Sequence, residues 1–179
     1  MPYTIYEHKH RYASWAASRA ASTKPCRLTV LSGKEIIETV GLHRIISDPS
    51  NLPSPDKIDT SHRFWRETAI DAARNKDISG FSHGVAAKLI NVYLKGIFVC
   101  GGHEEHNNVA ALHPPIDSLL LYGLYSNNVG GLRKQWDVAR KIRWSNFDSA
   151  QYEAVIAAIR TAMGGSPLWQ VELYWPGYQ

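Results

Sequence analysis

A chain of 179 residues is long enough for one well-packed domain and short for two. With 44% hydrophobic and 20% charged residues it is not a disordered chain, and the expectation is a single compact all-α domain over residues 1–179. A net charge of +4 is a mild basic bias, compatible with a nucleic-acid partner without demanding one.

Residues 7–22 are Ala-rich and place Tyr12, Trp15 and Arg19 at steps of three and four, which puts them on one helix face. Lys24-Pro25 ends that helix. Residues 26–31 read as a short strand or an extended arm, giving at most one β element near Arg27 to Val30. Ser32 then caps a short helix that Gly41 stops. Pro49, Pro53 and Pro55 mark the longest loop, read as a surface crossing within the domain. Thr60 or Ser61 caps the next helix, which runs to about Asn75. A hairpin is expected at 78–84, an apolar helix at 85–99 and a polar loop at 101–108. Helices over 117–125, 132–142 and 149–163 follow, and Pro167 opens a final Trp-rich helix.

Two segments carry chemistry. In the first, Ser82-His83-Gly84 leads into Val85-Ala86-Ala87-Lys88-Leu89-Ile90-Asn91, a glycine-bearing turn opening an apolar helix. Ser79-Gly80 supplies further turn flexibility. In the second, His113-Pro114-Pro115-Ile116 stiffens the entry to a helix begun by Asp117. Taken alone, Lys88 reads as a solvated helix residue and Asp117 as an N-cap. Taken together, they resemble the core of the helix–hairpin–helix DNA glycosylases. Gly84, Val85, Lys88 and Asn91 keep the places of that family's strip, while Ala86 stands for its second glycine and His83 for its usual proline.

The resemblance covers residues 78–124 only, and the 29 residues from Lys88 to Asp117 exceed the family's usual spacing. The loop 101–108 is the extra length, and some archaeal members that excise 8-oxoguanine also carry a longer connection. What the resemblance implies is a base-excision glycosylase/AP lyase. Lys88 would be the Schiff-base nucleophile, which must be held neutral, and Asp117 its electrostatic partner or base. Gly80, His83, Gly84 and Val85 would hold a phosphate without reading sequence. Arg133, Lys134 and Arg140, interleaved with Trp136 and Trp144, would add non-specific DNA affinity, although the same stretch reads equally as an ordinary amphipathic helix. The alternative from another class is a non-catalytic nucleic-acid-binding or regulatory helical module.

Other clusters point elsewhere. His103-Glu104-Glu105-His106, with His113 nearby, has metal-ligand types in a polar loop and suggests a metal-dependent hydrolase as a second enzyme reading. His8-Lys9-His10-Arg11 beside Tyr12 and Trp15 is either a phosphate-contacting patch or an exposed helix face. Leu168, Trp169, Leu173, Tyr174 and Trp175 read as core closure. No phosphate-binding loop, dinucleotide fingerprint or serine-hydrolase elbow is present, so no cofactor is expected. Cys26 and Cys100 make neither a disulfide framework nor a zinc quartet and read as reduced thiols of a cytoplasmic protein. Neither a secretory leader nor a membrane span is expected, and the oligomeric state stays open.

Overall fold

The computed structural model describes residues 3–178, which are all-α, with no strand among them. Eight α-helices follow in order: α1 (Ile5–Ala21), α2 (Val30–Val40), α3 (Ile58–Arg74), α4 (His83–Leu94), α5 (Asn107–Ala110), α6 (Ser118–Ser126), α7 (Arg133–Ile142) and α8 (Ser149–Met163). Short 3₁₀ turns join them, the last at Leu168–Tyr174, where a helix was expected.

Residues 26–29 form no β element, because local capping wins. Thr29 accepts from the Ser32 N–H, and Ser32 returns the bond to the Thr29 N–H. This box starts α2 at Val30 with Thr29 as its cap, three residues ahead of the Ser32 cap read from the sequence.

Two hydrophobic clusters meet at α4. Ala86, Leu89, Ile90 and Tyr93 pack with α1, α2 and α3. Ala87, one position on, packs with α6, α7 and α8 through Leu120, Trp136 and Ile156. A helix buried on both sides needs apolar residues all round, as the run from Val85 to Leu94 has. Alongside it, α1 presents Ala13, Ser14, Ala17, Ser18 and Ala21, small residues that let the two helices approach closely. At its start, α4 lies on the 144–147 turn: a Cβ on Gly84 would come within 1.7 Å of the Trp144 carbonyl oxygen.

Beyond Leu94 the helix continues as π-helix over Lys95–His103, kinked at Gly102, whose φ of 85° leaves the helical region at the start of the expected polar loop. The whole run, His83–His103, is long and apolar enough by length and composition to cross a membrane, which the sequence reading did not register. Within the protein, 67% of its most apolar window is buried, as befits a central core helix.

Candidate functional site

Lys88 and Asp117 meet. The Lys88 Nζ lies 2.9 Å from Asp117 Oδ2, although 29 residues separate them in the chain. Two local devices bring the carboxylate there. Asp117 is the N-cap of α6, its Oδ1 accepting the Leu120 N–H at 2.9 Å, which fixes the side-chain rotamer. The Trp175 indole N–H donates to the same Oδ2 at 3.1 Å, and so anchors the C-terminal segment over the pair. Asp117 thus caps α6 with one oxygen and pairs with Lys88 through the other.

The lysine side chain is 8% exposed and that of the aspartate 19%. Burial holds the Lys88 ammonium below its ordinary range, and the carboxylate pulls in the opposite direction. A lysine so placed is nearer to a neutral nucleophile than a solvated one. Its Nζ also sits 5.9 Å from the centre of the Trp144 ring.

The pair lies on the wall of a cavity of about 480 Å³, within the range of small-molecule sites. Tyr12, Val92 and Trp175 give it apolar and aromatic surface, while Lys95 and Glu172, ion-paired to each other, give it a second polar edge. Cys100 lines it too, as an exposed free thiol.

One turn further along α4, Asn91 ties the same helix to the strip carrying Asp117. Its Nδ2 donates to the Pro114 carbonyl at 3.0 Å and to the Tyr152 hydroxyl at 3.0 Å. Since Lys88 faces Asp117 and Asn91 faces Pro114, the strip runs antiparallel to α4. Behind it lies a relay whose proton positions follow from the groups that can only donate. Arg66 Nε donates to His62 Nδ1, so the His62 proton is on Nε2 and goes to Asn91 Oδ1 at 2.7 Å. The Tyr152 hydroxyl accepts from Asn91 and donates to His113 Nδ1 at 3.0 Å. His113 Nε2 then donates to Asp59 Oδ1 at 2.8 Å, where Arg160 also ends.

Arg66, 1% exposed, anchors this relay through Glu153, Ser149 and the Tyr152 ring face. Burial keeps His62 and His113 below the ordinary histidine range. The His113 and Arg160 bonds to Asp59 hold its carboxyl well below the usual carboxylate range.

The other expected contacts fare unevenly. At the hairpin, the Gly84 N–H is committed to the Phe147 carbonyl and the Val85 N–H to Ser82 Oγ, so neither faces outward for a phosphate. His83 Nδ1 accepts from Arg66 at 3.1 Å, and Gly80 stays exposed with φ +70° against the backbone of Pro25 and Cys26. On α7, Asp137 takes both Arg140 and Lys141, while Arg133 and Arg140 lie over the Tyr125 ring. Lys134 is exposed. The His103/His106/His113 metal reading does not assemble: His106 caps α5, His113 belongs to the relay, and no group of three or more His, Cys, Asp or Glu among the described residues is placed to hold a metal ion. His10, read as part of a surface patch, is buried against Tyr93 and Glu38.

Sequence reasoning missed the relay and the Trp175 contact. His62 and Arg66 at i and i+4 on α3 were the available signal for the relay. No family model matches the chain, and neither a curated protein nor a solved structure does.

Proposed function

We propose that this protein is a DNA base-excision enzyme of the glycosylase/AP lyase type, with Lys88 as the amine nucleophile and Asp117 as its proton acceptor and electrostatic partner. The observation that carries the reading is the 2.9 Å contact between a buried amine and a carboxylate on the wall of an open cavity. Hydrogen-bond reach lets Asp117 take the ammonium proton directly as the amine attacks C1′. On a base-bearing nucleotide the attack expels the base with the bonding pair, and the proton held by Asp117 passes to the departing base, which restores the carboxylate. On an abasic aldehyde it adds the amine, loses water and leaves an iminium. Loss of the C2′ proton then expels the 3′ phosphate.

Such chemistry needs the nucleotide out of the helix stack, and Tyr12 and Trp175 offer aromatic surface to receive it. The carboxylate, held by its own N-cap and by the Trp175 indole, remains positioned to stabilise positive charge developing on the sugar.

Borohydride trapping on DNA with an abasic site tests the reading. A covalent adduct present in the wild-type protein and absent in Lys88→Ala supports it. Salt-sensitive DNA binding without any adduct replaces it with the non-catalytic binding module.

A further inference from the structure

All sixteen acidic residues lie outside residues 8–34, yet that stretch contains Lys9, Arg11, Arg19, Lys24, Arg27 and Lys34. Twenty Lys and Arg less these six leaves fourteen, so the rest of the chain is slightly acidic and this segment is the positive pole. Arg11 and Lys34 are answered by Glu7 and Glu38. Arg19, Lys24 and Arg27 are exposed and, among the described residues, have no side-chain partner.

These free cations continue a row of exposed aromatic surface. Tyr12 is 63% exposed and Trp15 49%, with their rings in tilted contact at 6.0 Å, and Arg19 lies one turn further along α1. Tyr12 lines the Lys88 cavity at one end of the row. At the other end, Arg19 and Arg27 line a separate hollow of about 390 Å³ with Ser22 and Thr29. The 22–29 loop in turn packs against the hairpin, where Gly80 meets the Pro25 carbonyl. The row thus joins the mouth of the cavity to the hairpin along one edge. From Tyr12 to Arg19 it spans seven residues of helix, about 10 Å, or roughly three base-pair steps.

We propose that this edge, Tyr12 and Trp15 followed by Arg19, Lys24 and Arg27, is the track on which the nucleic-acid strand lies as it enters the Lys88 cavity. The assignment rests on reading that cavity as the site of a nucleic-acid enzyme. It places the strand on α1 and the 22–29 loop, where Arg19, Lys24 and Arg27 have no carboxylate partner among the described residues, rather than on α7, where Arg140 and Lys141 share Asp137. Charge decides the occupant: an acid-free edge with three unpaired cations matches a polyanion, and the neighbouring rings match its bases. Because backbone phosphate and ring faces are common to all sequences, the track binds without sequence preference.

The experiment measures salt-dependent affinity for a fluorescent duplex carrying one tetrahydrofuran abasic analogue, with borohydride trapping on a true abasic site run in parallel. The Arg19→Glu/Arg27→Glu double variant should lower the slope of log affinity against log salt by about two and slow trapping at subsaturating protein. Trp15→Ala should weaken binding about tenfold with a smaller change in slope. All these side chains are exposed, so the variants should keep the wild-type melting temperature.

A wild-type slope in the arginine variant, with affinity lost instead in Lys134→Glu/Lys141→Glu, overturns the track. So does capture of anionic lipid vesicles without duplex binding. Trapping that proceeds unchanged in the arginine and tryptophan variants also removes the track while leaving the enzyme reading intact. Absence of any adduct, with binding still dependent on Arg19 and Arg27, removes the enzyme reading and leaves the track in place.

Discussion

The Lys88–Asp117 pair and the His113–Asp59 pair both set a buried cationic or protonatable group against a carboxylate at under 3 Å. They differ in what surrounds them. His113 has each ring nitrogen taken, within a relay running from Arg66 to Asp59. Lys88 has one carboxylate for an ammonium that carries three donors, and the remainder faces a cavity. A fully satisfied network of this kind rigidifies a core, whereas an amine left partly unsatisfied beside open space keeps donors free for a ligand. The two regions teach that proximity of acid and base is not the mark of a site; spare valence facing an entrance is.

Replacing Lys88 separates the two regions most sharply. Lys88→Met should abolish the borohydride adduct, while Asp117 keeps its bonds from the Leu120 and Trp175 N–H groups, so the loss in urea melts should stay smaller than that from removing Arg66. Its effect on stability has a sign: the folded pKa is lowered, so protonated Lys88 costs stability at neutral pH, and that cost is relieved as pH rises through the lowered value. Asp117→Asn keeps an N-cap but loses the charge, and trapping should slow by about 10² to 10⁴.

The relay should respond the other way round. Arg66→Met leaves the buried His62 Nδ1 without its donor and removes one of the donors to Glu153, which keeps Arg63 and Ser149, and should cost about 1–3 kcal/mol by denaturant melts. Equal stability in that variant would erase the distinction drawn between the regions. Acidification should act on the relay as well. His62 and His113 have folded pKa values below their unfolded ones, so their neutral forms stabilise fully above about pH 6.5. Below it the unfolded chain binds more protons, and stability should fall as the pH drops. His113→Asn should make that fall shallower, read from denaturant melts at a series of pH values. The smallest effect concerns Trp175→Phe, which keeps the ring and removes one N–H to Asp117; trapping should slow about tenfold with the melting temperature little changed.

The helical class and the local settings of Lys88 and Asp117 were legible because each rests on short-range signals, an apolar helix behind a glycine turn and a proline-stiffened N-cap; that the two side chains meet across 29 residues was not, since only the fold brings them together. The relay was not, since its members come from α3, α4, the 113–117 strip and α8, and no local pattern ties His62 to Tyr152. Residues 26–31 read as a strand or an extended arm, but Thr29 and Ser32 are spaced for a capping box, and hydrogen bonding of that kind overrides weak strand preference. On α7 the basic run was visible, whereas the reach of Asp137 to both i+3 and i+4 cations decides how much of that charge stays free. The π-helical turns after Leu94 follow from packing and have no signature in the residues themselves.

Those turns also carry Cys100 onto the cavity wall, while the other cysteine, Cys26, lies fully buried with its thiol pushed up by desolvation. The native protein therefore offers one addressable sulfur beside the Lys88 chamber and needs no engineered handle. A maleimide dye should couple at Cys100 alone, and protection from it would report, in real time and without any turnover, that the chamber is filled.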